Sequence, residues 1–247
     1  MNLKEALAKL ESMGDEGRRD YNLKPAPHGI PAGKLKQYGV AMGDLRALAK
    51  KIKTDHALAL ELWKTGNIDA QLLAILIMKP KQLSAKELDT MVREARFTTV
   101  ADWLNAYIVK EQPPAEKETL REKWMKDKDG WAARAGWNLM ASKINQSGGG
   151  GTSKGTTSRD RKGADGEELD LDALLDHLEK EMSKAPPETQ WTMNNTLMAI
   201  GINHAKHRKR AIAIGEKLGL YKDWPMSKGC VIPYAATAIP EMVKRQG

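Results

Sequence analysis

A carboxylate set inside an apolar stretch is the first residue whose type and place suggest chemistry. In FTTVADWLNAYIVK, residues 97–110, Asp102 interrupts an otherwise apolar helical pattern and directly precedes Trp103. Burying an uncompensated carboxylate is costly, so Asp102 must lie at a surface, be held by a partner, or act on a ligand. A second constellation is WAARAGWNLMASKI at 131–144, where Arg134 stands three residues from both Trp131 and Trp137. That spacing can hold a guanidinium against indole rings and steer it towards a phosphate. The third is HAKHRKR at 204–210, the densest basic segment of the chain. Lys206, Arg208, Lys209 and Arg210 lie at a helix start, where backbone N–H groups also favour anions. The same run would serve equally as a solvated charged face. Further Lys and Arg stand at 34, 36, 46, 50, 51, 53, 222, 228, 244 and 245. Brought to one surface, they would track a duplex backbone.

Other chemistries lack their signatures. The five His are scattered, and His204 and His207 sit among cations that repel a metal ion, so no metal site is expected. There is no GxxxxGK[ST] phosphate loop, no GxGxxG dinucleotide motif and no nucleophile elbow, and no cofactor is implied.

The elements that must carry these residues are helices. No alternating Val/Ile/Thr run bounded by turns occurs, so the expected fold is all-α. Leu3, Ala6, Leu7 and Leu10 mark a first helix, and residues 21–39, rich in Pro and Gly, read as a loop. Leu45, Leu48 and Ile52 share one face of the next helix. Thr54 or Asp55 can cap a further helix that Gly66 ends. Ile68 to Lys79 is an apolar helix stopped by Pro80, and Ser84 with Glu87 forms a capping box for a helix through Arg96. Helices follow at about 99–109, 115–126, 131–144, 171–182, 188–203, 206–219 and 235–245. Short helices joined by brief loops predict a HEAT-like or armadillo-like α-α superhelix, one repeat domain over 1–247. Residues 146–168, with four consecutive glycines plus Ser, Thr and charge, read as a flexible insertion. It is either inert or a flap carrying Lys154, Arg159, Arg161 and Lys162 towards phosphates.

Composition fits that picture. The 247 residues include 41% hydrophobic and 29% charged side chains, an ordinary globular balance. Lys and Arg number 40 against 32 Asp and Glu, a formal charge of +8 that favours polyanions. Seven Trp against one Phe supply large flat faces, useful in a core or beside a base or sugar. The single Cys230 fits a reducing compartment. The N-terminus shows no apolar signal region, and the longest apolar run, 72–78, is too short to span a bilayer. A cytoplasmic location without membrane attachment is therefore expected. A solenoid needs no partner to close its core, so the expected state is a monomer.

The order and spacing of three segments carry a family resemblance. YGVAMGDLRALAKKI at 38–52, TTVADWLNAYIV at 98–109 and the Trp/Arg helix at 131–144 resemble the AlkD-type DNA alkylation repair family. The stretch 194–230 is similar to a bacterial branch of it. The resemblance implies a curved superhelix whose basic side holds double-stranded DNA. It also implies a glycosylase that releases positively charged alkylated purines, such as 3-methyladenine or 7-methylguanine. That chemistry needs neither metal nor nucleophilic side chain: the charged base leaves readily, and an oxocarbenium-like sugar needs negative potential and aromatic faces. By resemblance Asp102 is the catalytic residue and Arg134 contacts the DNA backbone, while Trp103 and Trp191 are the candidate cleft aromatics beside the family's own Trp positions. The pattern departs at two positions. Thr98 stands where active relatives carry a Trp one turn before the Asp, and Asn195–Thr196 replace a second cleft Trp, with Trp191 one turn earlier. Trp103 lies about 100° around the helix from Asp102 and does not simply substitute. Two alternatives to catalysis stay open, a non-catalytic module recognising DNA shape or damage and a helical scaffold for proteins.

Overall fold

The computed structural model describes residues 1–23, 35–147, 169–225 and 230–246. The insertion read at 146–168 lies outside them from residue 148 onward, as do Lys34 and Lys228. Thirteen α-helices and three short 3₁₀ helices account for the regular structure among the described residues, with one isolated bridge between Lys36 and Asn67. The chain divides into two compact units, Met1–Leu120 and Arg121–Gly247.

Unit 1 opens with α1 (Leu3–Ser12), set by an Asn2–Glu5 capping box, and α2 (Glu16–Leu23). α2 replaces the start of the expected loop at 21–39. Asp15 accepts from the Arg18 N–H at its first turn, and none of its residues is buried. A helix without an apolar stripe leaves no periodic signal in the sequence. Next come α3 (Met42–Ile52), α4 (His56–Lys64), α5 (Ile68–Ile77), α6 (Ala85–Glu94) and α7 (Thr98–Tyr107). Asp55, not Thr54, caps α4 through the Leu58 N–H, and Ser84 and Glu87 form the expected box on α6. α5 is the centre of this unit: nine of its ten residues are buried, and α3, α4 and α7 all pack on it.

One of those nine is Asp69, 3% exposed. Its carboxylate accepts the backbone N–H groups of Tyr38 (2.5 Å), Gly39 (3.1 Å) and Val40 (2.9 Å), pinning the segment that leads into α3. α3 then ends at Lys53, whose φ of 66° and ψ of −158° suit glycine. A lysine there stores strain. Lys53→Gly is expected to raise stability by about 1 kcal/mol, read as a higher urea midpoint at unchanged slope.

The unit boundary falls within α8 (Pro114–Met125). Unit 2 continues with α9 (Gly130–Ser147), α10 (Leu171–Glu181), α11 (Pro187–Asn203), α12 (Ala205–Leu218) and α13 (Ala235–Gln246). Its core gathers Trp137 and Ile144 of α9, Leu175 and Leu178 of α10, and Leu197 and Ile200 of α11. α11 packs along α9 and also touches α12 and α13. Gly219 closes α12 in the left-handed conformation, as a glycine at a helix end commonly does.

Candidate nucleic-acid interface

In unit 1 the candidate residues sit on α7 and α3. α7 turns Val100, Ala101 and Leu104 into the core, so Asp102 emerges on the opposite side and is exposed. Thr98, one turn earlier, is half-buried and offers a hydroxyl to that side of the helix. Trp103 is half-buried beside Asp102, with its ring 5.6 Å from Tyr107. The Arg46 guanidinium lies over the Trp103 face, 4.9 Å from the ring centroid. α3 positions it: Leu45 and Leu48 face the core, which leaves Arg46, Lys50 and Lys51 exposed, with Lys53 at the helix end. A guanidinium held against an indole loses little further freedom when it meets a phosphate. Arg46 belonged to a basic cluster in the sequence, but nothing local to it announced its pairing with Trp103.

In unit 2 the structure places the candidates less uniformly. Trp131 to Trp137 is buried throughout, and Arg134 is only 2% exposed. Instead of reaching outward, its Nη1 donates to the Glu188 carbonyl at 3.1 Å. Its charge also reaches Tyr221, whose phenol burial pushes well above its usual range with Arg134 opposing in part. Trp191, half-buried, is one of three mutually packed rings: Tyr221 stands edge-on to it at 5.3 Å and Trp224 lies at 5.2 Å. Arg134 and Trp191 thus share Tyr221 as a neighbour, inside unit 2.

The basic run divides in two. Arg208 donates through Nε and Nη2 to the carbonyls of Gly201 and Ile202 at 2.8 and 3.0 Å, closing the end of α11. Arg210 binds Asp172 and Asp176 of α10, and His207 lies 3.4 Å from Asp172. Lys206 and Lys209 are exposed. The run is therefore half structural, with two lysines left exposed. Among the described residues no group of three or more His, Cys, Asp or Glu is placed to hold a metal ion. No helix there is long and apolar enough to cross a membrane.

The burial of Arg134 carries a prediction. Arg134→Met is expected to cost about 2–4 kcal/mol of stability, because the Glu188 carbonyl loses its donor and the packing around it must readjust. DNA affinity measured well below the melting temperature should change less than twofold. A large affinity loss at unchanged stability would return Arg134 to the interface.

Comparisons with known proteins bear on the family and the fold. A protein of Listeria innocua serovar 6a, the uncharacterised Lin0241, is 22% identical over 221 residues, covering 88% of each chain. A solved structure matches with a TM-score of 0.70 and 23% identity, over 99% of this chain and 95% of that one. It is described as a new family of proteins related to the HEAT-like repeat DNA glycosylases, with affinity for branched DNA structures. At that identity the likeness establishes the fold, an all-α HEAT-like one. The family model described as DNA alkylation repair enzyme matches residues 6–239 and so spans both units. With helices of that fold throughout and a match over nearly the whole sequence, the chain belongs to the DNA alkylation repair enzyme family.

Proposed function

We propose that the protein binds double-stranded DNA through its sugar–phosphate backbone and recognises DNA shape or damage without excising a base. The observation that carries this reading is Arg46, an exposed guanidinium fixed over the Trp103 ring beside Asp102. A cation already covers the aromatic face that a sugar would need, so the surface suits phosphate contact better than oxocarbenium stabilisation. Asp102 is exposed, and in water its field is screened far more than in a dry cleft. Thr98 in place of an indole points the same way. The solved relative's affinity for branched DNA makes junctions the natural first ligand besides linear duplex. The reading calls for no metal or cofactor and for a monomer acting in the cytoplasm.

Base excision is the second reading, favoured by an exposed carboxylate and a half-buried indole at adjacent positions of α7. In it Asp102 supplies negative potential to the oxocarbenium-like sugar as the base departs, and Trp103 supplies a ring face.

One experiment separates the two. Purified protein is incubated with a linear duplex carrying one 7-methylguanine and with a four-way junction, scoring abasic sites alongside salt-titrated binding. The expected result is binding whose logarithm falls linearly with log salt, and no base release. The double variant Arg46→Ala/Lys50→Ala should lower that slope by about two. Release that disappears in Asp102→Asn at retained affinity would establish excision instead. Absence of binding to either DNA would overturn both readings.

A further inference from the structure

The phosphate contacts leave one polar feature of unit 2 unused. Between α9 and α11 opens a pocket of about 330 Å³, within the size range of small-ligand sites. Asn138 projects into it from α9 and Asn195 from α11, over apolar surface from Met198, Ala199 and Ile202. Among the described residues no charged side chain lines it.

Both amides are half-buried, and neither has a hydrogen-bond partner among the described residues. Their neighbours are engaged. Asn145 accepts from Asn203 at 2.8 Å across one end, and the Ser142 hydroxyl turns back to the Asn138 carbonyl. Just beyond that end His204 meets Ser147 at 3.5 Å, and the exposed Lys206 stands in the first turn of α12.

A carboxamide carries two donors and one acceptor group in a plane. Two such groups without partners among the described residues, over an apolar floor, suit a flat ligand with an apolar face and a mixed donor–acceptor edge. A nucleobase has that form, and asparagine pairs in bidentate fashion with the N6 and N7 of adenine. A paired base does not expose its face, so the occupant is unpaired. An extended peptide would also offer donors and acceptors, but it would want a longer row of amides and has no use for lysines at the pocket's end.

We propose that this pocket takes an unpaired adenine of a DNA strand, its edge read by Asn195 and Asn138, with the flanking phosphate towards Lys206. The proposal rests on the DNA-binding reading and deepens it by naming the ligand as a duplex with an extruded base.

The test measures binding of the full chain to an intact labelled duplex and to the same duplex with a single A, C, G or T bulge. The adenine bulge is expected to bind about tenfold tighter than the intact duplex. Asn138→Ala should remove that preference and leave intact-duplex binding within twofold. Asn195→Asp, isosteric and so retaining the fold, should shift the order towards cytosine, because a carboxylate only accepts and cytosine N4 donates. Persistent duplex binding with the adenine preference absent, or unchanged in both variants, would overturn the pocket and leave the phosphate reading standing. Failure of wild type to bind any DNA would overturn both. In parallel, the side-chain amide signals of Asn138 and Asn195 are followed by NMR. Movement with an uncharged Gly/Ser/Thr dodecapeptide, and none with bulged DNA, would assign the pocket to a protein partner and overturn the proposal.

Discussion

Asp69→Asn is expected to destabilise unit 1 by more than about 3 kcal/mol, a large share of the 5–15 kcal/mol that holds a typical domain. The carboxylate is buried and accepts three consecutive N–H groups, from Tyr38, Gly39 and Val40. Each donor stranded without a partner costs about 1–3 kcal/mol, and the new amide would also point N–H groups at N–H groups. The segment cannot move aside easily. Gly39 has a φ of 78°, and a Cβ there would meet the Asp15 carbonyl oxygen at 2.4 Å, so the backbone is tightly bracketed. Because this segment feeds α3, looser pinning should also mobilise Arg46 and lower DNA affinity. A urea midpoint and slope like those of wild type would show that the three bonds contribute little.

Gly136→Ala should be nearly as damaging in unit 2. A Cβ at Gly136 would lie 2.4 Å from the Met125 backbone nitrogen and 2.9 Å from the Trp124 Cβ. These are backbone and stem atoms next to Trp124, itself 0% exposed, so relief requires the end of α8 to move off α9. Overpacking of that kind costs about 1–3 kcal/mol and more where backbone must shift. α9 carries both Arg134 and Asn138, so its displacement would disturb the chemistry of the whole unit. Gly43→Ala is the control. Nothing lies within 4 Å of a Cβ there, on α3, and the change should stabilise by about 0.5–1 kcal/mol. Thermal unfolding of the pair checks both signs, and a neutral Gly136→Ala would refute the close approach.

Much of the helical order was legible in the sequence because the signals are local. The Ser84–Glu87 box, the leucine stripe of α10 and the glycine after α12 each lie within a turn or two of the end or face they define. α2 was not legible, since it buries nothing. The two aspartates in apolar helices show the limit for the site. Asp102 interrupts an apolar helical pattern in the sequence, yet it is exposed; Asp69 is the buried one, and its three partners lie about thirty residues earlier in a loop. Arg134 illustrates the same difficulty. α9 is enclosed on all sides over its first two turns, so periodicity could not say which way the guanidinium goes. For Trp103, Asp102 and Lys206 the structure supplies positions, while their roles await the binding and excision experiments.

The bond between Arg210 and its two aspartates on α10 also bears on how this surface can change over generations. Arg210 is a cation already in place whose charge is spent within the fold. Neutralising Asp172 or Asp176 adds no new side chain, yet it would hand that charge to the outside. Drift at two acidic positions can thus retune a polyanion surface without a single basic residue being gained. Loss of Arg210 alone, conversely, leaves two carboxylates facing each other's field, so the three positions are expected to vary as a set.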